Sequence, residues 1–154
     1  MSDPHYDPPR APLKDGKGPA IKRSNLLAII IGAVTDTAAT TVGGVVLALL
    51  FAIFFAPGGM RVEDMQAQML DSDLFRAVSA AMGLGCSVLG GYVCARFANQ
   101  NEYANALAVG IIGLLVGELL SSGGDPWLHI LAFLTIPAAI LGAHIKMRAE
   151  RREG

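Results

Sequence analysis

The chain has 154 residues, of which 53% are apolar and only 16% charged, with a formal net charge of −1. A soluble domain carries about 25% charge, and here the charges also avoid four membrane-length windows, which argues against a soluble all-helical domain. The near-neutral balance gives no reason to expect a nucleic-acid partner.

Residues 1–24 form a tail rich in proline (Pro4, Pro8, Pro9, Pro12 and Pro19), expected to be disordered and extended. Its Lys22-Arg23 end is placed to touch anionic lipid. The apolar run that follows is too long for the core of a cleaved signal peptide and lacks a small-residue cleavage site, so no leader is expected here.

The first window, 26–56, corresponds to about 45 Å of helix against a hydrocarbon core of about 30 Å. Inside it lies Thr35-Asp36-Thr37. Two arrangements fit. Either one long tilted helix carries Asp36 within the inner leaflet, or 26–34 lies along the interface and Thr35 or Asp36 caps a shorter span. The run Leu26-Leu27-Ala28-Ile29-Ile30-Ile31 is apolar all round, which favours the long helix.

An outer loop, 57–73, follows. Val62, Met65, Met69 and Leu70 make an apolar stripe, predicting a short amphipathic helix lying on the membrane surface. The remaining windows are 74–97, 103–121 and 127–145, and a six-residue tail, 149–154, ends the chain. Helix is the expected spanning form, because a barrel strand would be roughly half as long and strictly alternating.

Small residues recur every four positions: Gly32, Asp36, Thr40, Gly44 and Ala48 in the first span; Ser79, Gly83, Ser87, Gly91 and Ala95 in the second, beside Cys86, Gly90 and Cys94. The third span offers Ala106 and Gly110, then Gly113 and Gly117, and the fourth Thr135, Ala139 and Ala143. Lipid tails are as apolar as leucine, so close backbone approach over such rows is what drives helices together. The expected fold is therefore an all-α integral membrane four-helix bundle, packed through Gly44, Gly83, Gly90, Gly91, Gly110 and Gly117. The second span, small on more than one face, is expected at its centre or at an oligomer contact. Cys86 and Cys94 are separated by about 12 Å along a helix, too far to bridge each other.

Lysines and arginines set the orientation. Arg10, Lys14, Lys17, Lys22 and Arg23 precede the first span, Arg96 closes the second, and Lys146, Arg148, Arg151 and Arg152 follow the fourth. Arg61 and Arg76 fall on the opposite side, among Glu63, Asp64, Asp71, Asp73 and Asp125. The positive-inside rule then places both termini in the cytoplasm.

The second and fourth spans end alike, in Leu89-Gly90-Gly91-Tyr92-Val93-Cys94-Ala95-Arg96 and Leu141-Gly142-Ala143-His144-Ile145-Lys146-Met147-Arg148. That pattern suggests a parallel duplication of a helical hairpin. The Thr-Asp-Thr run, the GGYVCAR segment at 90–96, the ALAVG opening of the third span and TIPAAILGA in the fourth together resemble a group of small bacterial four-helix inner-membrane proteins. Members of that group typically read GGYxAAR where Cys94 stands here. The likeness covers residues 26–148, and it implies a fold and a bacterial inner-membrane location but no activity.

Ionisable groups inside a membrane are rare and raise a functional hypothesis. Glu118 and His129 flank the turn at 122–125 at equal depth, so they are expected to pair, either to pin the third span to the fourth or to carry protons. His144 is expected at the cytoplasmic interface. Asp36, with Thr40 a turn later, belongs to the inner half, where depth alone makes Tyr92 and Asn105 its candidate neighbours. It reads as an inward-facing polar anchor whose carboxyl can be satisfied by hydroxyls, with a proton or ion role as the alternative. Pro137 is expected to kink the fourth span, freeing a carbonyl that lines a cavity or is satisfied by Thr135. Met60, Met65 and Met69 lack a nearby Cys or His, so they read as gap-fillers and not as copper(I) ligands.

Neither HExxH, G-x-S-x-G, a helical aspartate pair nor a phosphate-binding loop occurs. No catalytic activity, metal or cofactor is expected. The simplest expectation is a structural or accessory membrane protein that packs in or with a membrane complex. The alternative is a small oligomeric proton- or ion-coupled transporter using Asp36 with Glu118 and His129. The expected partners are the lipid bilayer and either copies of this chain or a larger membrane complex.

Overall fold

The computed structural model describes residues 23–55, 61–120 and 126–153. It consists there of five helices: α1 (Arg23–Phe55), α2 (Val62–Asp71), α3 (Asp73–Phe97), α4 (Glu102–Leu120) and α5 (Pro126–Glu153). All but the short α2 are long and apolar enough to cross a membrane, which makes this a multi-pass membrane protein by length and composition. Most of the tail, residues 1–22, and the turn at 122–125 lie outside the described residues.

α1 is one unbroken helix of 33 residues. The arrangement in which a cap at Thr35 or Asp36 starts a second helix does not occur. Instead the threonines turn inward on the helix itself: Thr35 Oγ1 donates to the Ile31 carbonyl at 2.7 Å and Thr41 Oγ1 to that of Thr37 at 2.8 Å. Those bonds satisfy the hydroxyl protons where water is excluded, and so let a threonine-rich stretch stay helical. Only 6% of the most hydrophobic stretch of α1 is buried. Leu27, Val34, Val42, Leu49, Ile53 and Phe54 all point outward, a surface suited to lipid.

Ser72 separates α2 from α3. Its backbone N–H closes α2 on the Met69 carbonyl, while its side chain accepts from the Phe75 N–H at 3.3 Å and so caps α3. Met69 is buried, whereas Val62 and Leu70 of the same stripe point outward. Asn101, at a φ of 56°, turns the chain between α3 and α4, a conformation asparagine tolerates better than most residues.

The four long helices alternate in direction. Phe51 near the end of α1 meets Phe75 near the start of α3 edge-on, at 5.3 Å between ring centres. Gly32 near the start of α1 faces Cys94 near the end of α3. α3 is the centre of the bundle: it packs on α1, α4, α5 and α2. Below, "tail end" denotes the end where α1 begins and α5 finishes, and "α2 end" the other.

At the tail end backbones touch. A Cβ on Gly91 would collide with the Ala139 carbonyl, and one on Gly142 with the Val88 carbonyl and, at 2.7 Å, the Tyr92 nitrogen. α3 and α5 thus cross through the two similar Leu-Gly segments. A Cβ on Gly110 would stand 2.8 Å from the Ile136 Cα, and one on Gly90 3.0 Å from the Gly32 carbonyl. Real Cβ atoms do not sit that close, so glycine is required at these crossings. Lys146 Nζ adds a polar clasp, 2.9 Å from Glu102 Oε1 on α4 and 2.9 Å from Glu150 Oε2.

Gly44, Gly83 and Gly117 differ. A Cβ on any of them meets nothing within 4 Å. The expectation that they bring helices together meets no contact here: Gly83 and Gly117 line clefts instead, and Gly44 has no neighbouring atom within reach.

Candidate functional site

Asp36 is the most enclosed acidic side chain among the described residues, with 6% of its surface exposed. α1 carries it into the angle between α3 and α4. Its Cβ lies where a side chain on Gly90 would be, 2.7 Å from that virtual carbon, and Oδ2 sits 3.1 Å from the corresponding point on Gly113. Two glycines on two different helices therefore make the space this carboxylate occupies.

Its partner is Ser87 on α3, whose Oγ lies 3.3 Å from Oδ1 and 3.4 Å from Oδ2. Thr40, one turn on along α1, lines the same cleft as the carboxylate. Tyr92 and Asn105, the neighbours expected from depth, are not at Asp36. Asn105 turns to the α3–α4 turn and donates to the Gln100 carbonyl at 3.0 Å, and Tyr92 stands at the α3–α5 crossing beside Gly142.

Glu118 and His129 come together across the α4–α5 hairpin. His129 Nδ1 lies 2.8 Å from Oε1 and 2.9 Å from Oε2 of Glu118. The pair is open, with 48% of the histidine and 33% of the glutamate side chain accessible. His144 is held at the tail end, its Nδ1 2.9 Å from the Tyr103 hydroxyl. α5 runs through Pro137 as one helix. Thr135 does not bond the carbonyl that this proline leaves free, that of Phe133. Its hydroxyl donates to Ala132 O at 2.6 Å and reaches Gly110 O at 3.4 Å.

Two clefts connect these groups. One, of about 230 Å³, is lined by Asp36, Thr37, Thr40, Thr41 and Ser87, with Gly113 and Val116 of α4. The other, of about 350 Å³, runs among Phe75, Arg76, Leu84, Glu118 and Leu131 towards Leu70 of α2. They share three lining residues, Gly83, Gly117 and Thr135. Gly83 and Gly117, with Thr135, therefore stand where the cleft at the buried carboxylate adjoins the cleft at the exposed one. Both clefts owe their width to the missing side chains.

Among the described residues no three His, Cys, Asp or Glu gather to hold a metal ion. Cys86 and Cys94 are both free thiols, Cys94 buried against Ala28 and Val109.

The sequence singles out Asp36, Thr40, Glu118 and His129 but not Ser87, Gly113 and Thr135 as parts of a site. Ser87 carried a signal: it is one of two serines in a row otherwise made of glycine and alanine, and the one in the middle of the helix expected at the centre. Comparison with family models, with curated proteins and with solved structures gives no match, so the functional reading rests on this geometry.

Proposed function

We propose that this protein is a small proton- or ion-coupled transporter of a bacterial inner membrane, with Asp36 as its ionisable centre and Glu118–His129 at the far mouth of its pathway. The observation that supports this reading most is the pair of abutting clefts that leads from Asp36 to Glu118 past Gly83, Gly117 and Thr135. A scaffold has little use for glycines that touch no neighbour, because alanine stabilises a helix more than glycine does. A conduction path uses both the open glycines and an ionisable group within reach of them.

Both termini lie in the cytoplasm in this proposal. Arg23, Arg96, Arg148, Arg151 and Arg152 belong to the tail end, while Glu63, Asp64, Asp71 and Asp73 gather at the α2 end, in keeping with the positive-inside rule. The clefts then face outward, and alternation or a second copy of the chain completes the route to the cytoplasm.

The accessory reading draws on the same Asp36–Ser87 contact, since a carboxylate at a helix crossing also fixes α1 to α3. Reconstitution separates the two. Purified protein in sealed vesicles, given a pH gradient, is expected to dissipate it, and Asp36→Asn is expected to remove that flux while keeping a wild-type elution profile. A folded wild-type protein with no flux above empty vesicles would return the accessory reading to first place. The mass of the complex extracted in mild detergent would then identify what it accompanies.

A further inference from the structure

We propose that the cleft at Asp36 binds a monovalent alkali cation, held by the carboxylate and a cage of hydroxyl oxygens. This deepens, and rests on, the reading of Asp36 as the working carboxylate. The argument starts from the lining, which contains no lysine, arginine, histidine or amide side chain. Its polar groups are one carboxylate and the hydroxyls of Thr37, Thr40, Thr41, Ser87 and Thr135.

The direction of the hydroxyl protons decides the sign of the ligand. Thr41 gives its proton to the Thr37 carbonyl, Thr135 to the Ala132 carbonyl, and Ser87 to Asp36. A hydroxyl whose proton is donated elsewhere presents only lone pairs. The cleft thus presents mainly acceptors around a negative charge. The carboxylate repels an anion, whereas a hard cation finds oxygen ligands, the kind it takes in proteins.

Charge narrows the class further. One carboxylate balances one positive charge, which favours a monovalent ion over a divalent one. The volume of about 230 Å³ leaves space for an ion that keeps part of its hydration, at roughly 30 Å³ per water.

Asp36 is the one titratable side chain among the lining residues described. The adjoining cleft brings Arg76 and Glu118, the latter bonded to His129, and on the tail side the Cys94 thiol stands near Gly32.

The test uses the full-length protein in detergent at one pH and one ionic strength, with choline chloride replaced stepwise by lithium, sodium or potassium chloride. With the half-buried Cys86 replaced by serine in every protein compared, labelling of the buried Cys94 thiol by a fluorogenic reagent on heating reads unfolding. At least one alkali ion is expected to raise the midpoint saturably by several degrees over choline. Asp36→Asn is expected to abolish the rise, and Thr40→Val and Ser87→Ala to weaken the apparent affinity about fivefold or more. Equal midpoints in all four salts for the wild-type protein would overturn the proposal. So would an undiminished rise in Asp36→Asn or, should that variant not fold, unchanged affinity in both hydroxyl variants. Proton flux without any alkali effect would sink this inference alone, and alkali binding without any flux would sink only the transport reading.

Discussion

The two ends of this bundle use the same residue for opposite purposes. At the tail end Gly90, Gly91, Gly110 and Gly142 bring backbones into contact, and a single added carbon at any of them would strike a neighbouring helix. Towards the α2 end Gly83 and Gly117 have nothing within 4 Å of where such a carbon would be, and both line the clefts. The first set removes bulk so that helices can meet, and the second leaves space unfilled. Asp36 sits where one regime gives way to the other, with Gly90 behind it and Gly113 beside it. The parted half is the side where α3, α4 and α5 face one another; α1 still meets α3 at that end, through Phe51 on Phe75. A small-residue row in a sequence therefore does not say which kind of space it makes.

The comparison is most exposed at the α3–α5 crossing. Gly142→Val and Gly91→Val each force a branched side chain into a backbone that α3 and α5 share, so no rotamer relieves the overlap. The expected loss is about 3 kcal/mol or more, at or beyond the upper end of overpacking effects, read as loss of the monodisperse peak in detergent. If either variant unfolds at the wild-type temperature, the tail end is not the rigid half. Gly90→Ala should cost less, roughly 1–3 kcal/mol, because Asp36 can shift with α1. It should also displace the carboxylate, so its midpoint and its flux are expected to fall together.

The open half predicts the opposite sign. Gly83→Ala and Gly117→Ala add a methyl group where nothing stands and should stabilise their helices by about 0.5–1 kcal/mol, the propensity difference between the two residues. The bulkier Gly83→Leu and Gly117→Leu should leave the unfolding midpoint within a few degrees of wild type yet stop flux, since both residues line both clefts. A stable leucine variant that conducts normally would disconnect the clefts from function.

Several of these features can be read in the chain, and others cannot. The four spans follow from where charge is missing, because bilayer thickness fixes helix length. The Glu118–His129 pair follows from the equal distance of both residues from the short link between two spans, where depth and neighbour are set by the same short stretch. Ser87 as the partner of Asp36 does not follow: it lies 51 residues away, and depth leaves the rotation of α3 about its own axis free. That rotation also decides which glycines touch, so Gly90 and Gly83, alike in the sequence, part ways in space. Lys146 hides for another reason. In a basic terminal segment it reads as a solvated topology signal, yet it is 7% exposed between Glu102 and Glu150. Nothing in a run of tail charges shows which one the neighbouring helix covers.

The smallest expected effect tests the open half from its far end. Glu118 and His129 bridge α4 and α5 beside the wide cleft, and a strong bond there would clamp the half described here as parted. Their accessibility argues otherwise, since exposed ion pairs are worth about 0–1 kcal/mol and side-chain bonds between membrane helices average about 0.6 kcal/mol. A double-mutant cycle of Glu118→Gln, His129→Gln and the pair, followed by thermal unfolding in detergent, should give a coupling within that range. A coupling above about 2 kcal/mol would mean that the hairpin is locked at both ends, and the parted half would be a fixed pore wall and no longer a moving one. A coupling in the expected range leaves the pair free to break and reform as the clefts change shape, which is what a group at the mouth of a proton or cation path has to do.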